Sequence, residues 1–223
     1  RSACDSATAL AYYVSGSVEA FAEEMNQRAK EIGAVNTHFT NAHGLHDPNH
    51  YTTARDLAII AKFALQNQTF YDIISKWNHT VPATNMSNER YFESTMELEI
   101  PGSEHYYDRV TGIKSGFTDE AGRCLITIAE KDTEKYLLVT LGANRDKYYL
   151  TNMAYTDAVN LYEYCFACYS IDKIIEKDVA LATASVDNGI SESASLVAND
   201  DTSYLCALDA QVEVVFTVPE YVT

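Results

Sequence analysis

Apolar residues recur at helical spacing along the first third of the chain, which predicts helices there. Ala3, Ala7, Leu10, Ala11 and Val14 share one face of a segment over residues 2–14. Ser15-Gly16-Ser17 interrupts it, and Ser17 is placed to cap a second helix carrying Val18, Phe21, Ala22, Met25, Ala29 and Ile32. Gly33 suits the left-handed residue that ends that helix. The polar stretch "VNTHFTNAHGLHDPNHY", residues 35–51, reads as loop. Thr53 then caps a third helix with Leu57, Ile60, Ala61 and Ala64 inward, and Asp56 three residues on forms a capping-box variant. A short helix follows around residues 70–75. Residues 78–105 hold no sustained period and read as strand-poor.

From Arg109 the period changes to that of strands, over 110–115, 124–129 and 136–143. "EKDTEK" between the last two is a hairpin turn. A long helix is predicted over 146–169, with Leu150, Met153, Ala154, Ala158, Leu161, Tyr162 and Cys165 on one face. Short β-rich runs follow at 179–186, 195–198 and 212–218, broken by Gly189 and Asn199-Asp200-Asp201. This order predicts an α/β (α+β) domain over 1–172 and the start of an all-β domain over 173–223.

Bulk composition narrows the classes. The 223 residues are 47% hydrophobic and 22% charged, an ordinary globular balance. The net charge of −16 excludes a nucleic-acid footprint, which must be basic. No apolar run is long enough to span a membrane. The opening "RSACDSATAL" reads as helix and not as a leader, which points to a processed chain or a fragment. Cys4, Cys124, Cys165, Cys168 and Cys206 are an odd, scattered set and read as small packing residues. The single Cys165-x-x-Cys168 has no second pair to make a metal site. His38, His43, His46 and His50 read as loop histidines; a metal-binding protein built on them is the competing reading, and elemental analysis decides it.

The chemistry concentrates in "RVTGIKSGFTDEAG", residues 109–122. A phosphate-binding loop needs glycine directly before the lysine, and Ile113 stands there. Lys114-Ser115-Gly116 instead resembles the lysine–hydroxyl–glycine triplet of penicillin-recognising serine enzymes, with Ser for the commoner Thr. In that setting Lys114 supplies positive potential beside an acylating serine and Ser115 bonds a substrate carboxylate. Gly116 leaves the strand edge bare for substrate backbone, and the Phe117 amide serves as an oxyanion donor.

Taken with "FAEEMNQRAKEIGAVNTHFTNAHGLHDPNHYTTARDLAIIAKFAL" and "GIKSGFTDEAGRCLI", nearly the whole chain resembles the D-alanyl-D-alanine carboxypeptidase family, the low-molecular-mass penicillin-binding proteins (serine peptidases of the S11 type). The resemblance implies a β-lactamase-type fold of helices on an antiparallel sheet, with residues 177–223 similar to the start of the family's C-terminal β-domain. It places the family's S-x-N motif at Ser2-Ala3-Cys4, where Ser2 keeps the proton-relaying hydroxyl. Cys4 replaces an asparagine that would hold the substrate amide, and a thiol cannot copy both halves of that group. The family's S-x-x-K should lie upstream of Arg1. The one S-x-x-K present, Ser170-Ile171-Asp172-Lys173, follows the triplet and so reverses the family order. The resemblance therefore implies an exported serine carboxypeptidase acting on peptidoglycan pentapeptides and acylated by β-lactams, with no metal or organic cofactor. It implies a complementing N-terminal segment that carries the nucleophile, and membrane anchoring only through residues beyond Thr223. A non-catalytic peptidoglycan-binding or scaffold protein on the same fold is the alternative, and Cys4 favours it.

Overall fold

The computed structural model describes residues 2–143, 152–215, 217, 221 and 222. The chain divides into two compact units, one of Arg1–Lys131 with Lys135–Tyr162 and the other of Asp132–Glu134 with Glu163–Thr223.

The first unit opens with α1 (Cys4–Ser15) and α2 (Val18–Glu31), joined at Gly16, whose φ of +80° ends α1. Ser17 Oγ accepts from the Ala20 amide and caps α2. Gly33 turns the chain out of α2 with φ +92°. These ends follow the sequence reading. The apolar face of α1 is only partly covered: Ala11 is buried, but Leu10 and Val14 are 65% and 62% exposed. Helical spacing identifies an apolar stripe and not what covers it.

Helices α3 (Ala54–Ala64) and α4 (Gln68–Ile74) are capped by Thr53 and Asn67. The capping box at α3 is only half made. Thr53 Oγ1 accepts from the Asp56 amide, but the Asp56 carboxylate turns to the preceding loop. The stretch expected to be strand-poor holds a hairpin of β1 (Asn78–Val81) and β2 (Arg90–Glu93), then a 3₁₀ turn over Glu97–Glu99. Both strands are four residues long and mostly exposed, so no alternation marks them.

The central sheet is β3 (Val110–Thr118), β4 (Gly122–Lys131) and β5 (Glu134–Ala143), in that spatial order, with β3 and β4 antiparallel. Helix α5 (Met153–Cys168) follows, and the part of the predicted helix over 146–151 lies outside the described residues, as do Tyr148, Tyr149 and Leu150. Leu98, Leu125, Ile128, Ala129 and Ala158 are buried in this unit. The hydroxyls of Thr127 on β4 and Tyr162 on α5 meet at 2.8 Å, both buried, so packing the helix on the sheet leaves neither polar group bare.

In the second unit β6 (Tyr169–Ile175) pairs with β9 (Thr202–Ala207), and β7 (Ala180–Val186) pairs with β8 (Ser193–Val197) and with β10 (Tyr221–Val222). The sequence reading missed β6 and β9. Of the strand expected over 212–218, residues 212–215 and 217 lie in no strand, and 216 and 218 are outside the described residues. No helix among the described residues is long and apolar enough to cross a membrane.

Candidate active site

The site is organised by an irregularity in β3. Val110, Thr111 and Gly112 pair in register with Ala129, Ile128 and Thr127, but Lys114 pairs with Ile126, so Ile113 is an extra residue. Strict alternation would put Gly112 and Lys114 on one face. The bulge puts them on opposite faces, re-aiming Lys114. Gly112 makes the bulge possible: its amide donates to Glu99 Oε2 at 3.0 Å, and a Cβ there would lie 2.5 Å from that oxygen and 3.0 Å from Met96 Sδ. Gly112→Ala is expected to lower unfolding free energy by about 1–2 kcal/mol, measured by urea denaturation, since both obstructing atoms end flexible side chains. An unchanged midpoint would show that the approach is not tight.

Lys114 points at the start of α1. Its Nζ donates to Ser2 Oγ at 2.5 Å and to the Ser115 carbonyl. Burial pulls its pKa below the ordinary lysine value, and the nearby Cys4 thiol partly offsets this by favouring the charged form. Cys4 opens α1 with its side chain half-buried. Ser2, Cys4, Lys114, Ser115, Gly116 and Phe117 thus line one cleft of about 560 Å³. The six residues singled out in the sequence are brought together.

The opposite wall comes from the loop over 35–51, which polar side chains hold in place. The Asn26 amide both donates to and accepts from the backbone of Phe39, at 2.8 and 2.6 Å. Asn41 Oδ1 accepts from the Gly44 amide at 2.7 Å, and its Nδ2 donates to the Leu45 carbonyl. Buried Asp56 Oδ2 accepts from the Asn36 amide at 2.6 Å and from Thr37 Oγ1 at 2.9 Å. His43, Gly44 and Leu45 are thereby set against the cleft. The loop histidines serve the loop itself: His38 Nδ1 lies 2.6 Å from the Asn49 carbonyl, and His43 Nδ1 accepts from the Leu45 amide. No group of three potential metal ligands gathers among the described residues.

Ser115, Gly116 and Phe117 also line a second cavity of about 200 Å³, with Thr95, Arg123, Asn152 and Tyr155. Sequence reasoning missed these four. Arg123 was within reach of hairpin arithmetic, because it sits opposite Phe117 in the β3–β4 register. Nothing local marks the other three.

Ser170 and Lys173 are three apart on a strand, so their side chains leave opposite faces. Lys173 is paired with Asp201 at 2.8 Å, which raises its pKa, and Ser170 Oγ donates to Asp172. This serine and lysine do not form a catalytic pair. Cys165 and Cys168 lie on α5 as free thiols, and burial raises that of Cys165.

Comparison with known proteins adds lineage to this geometry. DacF of Bacillus subtilis, a D-alanyl-D-alanine carboxypeptidase, is 30% identical over 204 residues, covering 90% of this chain and 49% of DacF. DacC of Escherichia coli is 28% identical over 201 residues, covering 90% of this chain and 46% of its own. Among solved structures, penicillin binding protein 5 from Haemophilus influenzae superposes with TM-score 0.66 at 27% identity, over 93% of this chain and 57% of that one. A peptidoglycan synthesis regulatory factor from Streptococcus pneumoniae shares the fold, with TM-score 0.72 at 22% identity over 92% of this chain and 58% of its own. The chain spans about half the length of the curated relatives it matches. Residues 1–145 match the peptidase S11 profile, and the chain belongs to the D-alanyl-D-alanine carboxypeptidase family.

Proposed function

We propose that this chain forms the substrate-side wall of an exported serine D-Ala-D-Ala carboxypeptidase, with residues 1–172 in the penicillin-recognising domain and 173–223 in a C-terminal β-rich domain. The observation that carries this reading is the Lys114 Nζ–Ser2 Oγ contact, which joins the triplet on β3 to the head of α1 in one cleft. The attacking serine belongs to a segment preceding Arg1. Its hydroxyl oxygen adds to the carbonyl between two D-alanines of a peptidoglycan stem peptide and forms an ester. The C–N bond breaks, and the departing amine takes a proton relayed through Ser2. Water then cleaves the ester and restores the serine. Lys114 holds Ser2 and stabilises the developing negative charge, while the Phe117 amide faces the oxyanion. A Cβ on Gly116 would meet nothing within 4 Å, so the strand edge has room for substrate backbone. No metal or organic cofactor enters these steps.

Incubating the full-length protein with a fluorescent penicillin and mapping the adduct by peptide mass tests this. The expected adduct lies on a serine N-terminal to Arg1; an adduct on Ser170 would refute the assignment. Cys4 favours one other reading, a non-catalytic peptidoglycan-binding protein, because a thiol replaces a substrate-holding amide. A folded protein that takes no label supports that alternative.

A further inference from the structure

A third cavity, of about 370 Å³, adjoins the cleft at Lys114 and plays no part in the steps above. One of its walls is the β1–β2 hairpin. His79 lies directly opposite Phe92, and the Ser94 amide donates to the Trp77 carbonyl at 2.7 Å, which carries the pairing past the strand ends. Opposed residues, and residues two apart on a strand, share a face, so Trp77, His79, Phe92 and Ser94 leave the hairpin on one side. All four line the cavity. Trp77, the chain's one tryptophan, and Phe92 are half-buried there, and His79 is exposed. The hairpin is a two-stranded sheet of its own, which is marginal unless something packs on its face.

The rest of the lining selects a ligand class. Glu93 and Glu99 are balanced by Lys76 and Lys114, so charge cancels in the cavity although the chain carries −16. A strongly charged ligand gains nothing from that balance, and a purely apolar one would strip water from four charged groups. A sugar ring meets both conditions: its C–H face lies on an aromatic ring, and its hydroxyls bond carboxylate, ammonium and imidazole at the edge. Bonding capacity is open for them. The Lys76 ammonium and the His79 ring make no hydrogen bond or ion pair among the described residues, and Glu99 commits one carboxylate oxygen to the Gly112 amide.

We propose that this cavity is a saccharide site, which seats an uncharged, N-acetylated hexosamine of the peptidoglycan glycan against Trp77 and Phe92. The inference rests on the proposed function only in taking peptidoglycan as the polymer at the cleft. An extended stem of five residues spans roughly 17 Å. A cavity that adjoins Lys114 lies nearer the reacting bond than that, so the sugar it holds comes from a neighbouring strand of the polymer and not from the one bearing the peptide being cut. The site thereby grips the glycan mesh beside the cleft while the cleft itself works on a stem peptide.

The test titrates the full-length protein with N,N′-diacetylchitobiose, an uncharged disaccharide of N-acetylglucosamine, by calorimetry. Wild type is expected to bind it saturably at one site. Trp77→Ala is expected to weaken that binding about tenfold or more, and Trp77→Phe to keep part of it, since a ring remains to stack on. His79→Ala, at an exposed position, is expected to weaken it as well, and decides the matter if the alanine variant at 77 does not fold. Prior acylation by penicillin should leave binding in place, because the cavity lies beside the cleft and not in it. No saturable binding by wild type, binding unchanged in the folded variants, or binding abolished by acylation overturns the proposal. A wild type that takes the penicillin label but not the disaccharide loses the saccharide site and keeps the carboxypeptidase reading. Disaccharide binding that depends on Trp77, in a protein that takes no label, keeps the saccharide site and removes that reading.

Discussion

Lys114→Ala is expected to slow penicillin acylation of the full-length protein by about a hundredfold to ten-thousandfold, the range for losing a positioned proton-transfer group. The reason is geometric. Lys114 ties β3 to Ser2 through a donor bond of 2.5 Å, and its removal takes away both the charge and that hold on the hydroxyl. A stopped-flow acylation rate within fivefold of wild type would remove Lys114 from the machinery. A pH profile adds a second signature. The ammonium form is the one that donates to Ser2 and Ser115, and burial lowers its pKa below the usual lysine value of about 10.4. Acylation is therefore full below the folded-state pKa and is lost as pH rises through it, ahead of an ordinary lysine. Lys114→Arg keeps the charge and moves that alkaline limb upward. The stability sign is opposite. A lysine with a lowered folded pKa is least favourable to folding while protonated, and its contribution improves as pH rises toward the unfolded value. Activity falling where this group favours the fold separates titration from unfolding.

Much of this site was legible because its signals are local. Ser17 and Thr53 cap helices by bonding an amide three residues on, a relation contained in the sequence itself. Lys114-Ser115-Gly116 is contiguous. What escaped depends on partners far along the chain. The bulge at Ile113 decides which face Lys114 takes, and it rests on Glu99, thirteen residues from Gly112. Period-two reasoning alone would send Lys114 to the wrong side of the sheet. Thr95 and Tyr155 join the small cavity from separate elements, and the bond from the Tyr155 hydroxyl to the Thr95 carbonyl spans sixty residues. What covers the apolar stripe of α1 is likewise not written in its spacing. Leu10 lines the open cleft and Val14 is 62% exposed, while Ala11 is buried, so the stripe is real but only partly covered. The proposed N-terminal segment offers a physical account of both features at once, since it would supply the nucleophile and cover that stripe.

Asp56→Ala is expected to be the most damaging change outside the catalytic cluster, lowering unfolding free energy by about 2–4 kcal/mol. The side chain is 1% exposed, and one carboxylate oxygen receives both the Asn36 amide and the Thr37 hydroxyl. Each bond to a buried charge is worth about 1.5–3 kcal/mol. Thr37 keeps a second neighbour in Thr52 Oγ1 at 2.9 Å, which limits the loss on its side, whereas the Asn36 amide is left bare. Asp56 also lies in the first turn of α3, where a negative charge meets the positive end of the helix. Asp56→Asn keeps the shape but turns one acceptor into a donor, so it should recover only part of the loss. The consequence reaches the cleft, because the loop that Asp56 anchors carries His43, Gly44 and Leu45 into its wall. Denaturation and acylation should therefore weaken together in Asp56→Ala, with the larger effect on stability. A shift below about 1 kcal/mol would mean that water replaces the carboxylate, and that Asn26 and Asn41 hold the loop unaided.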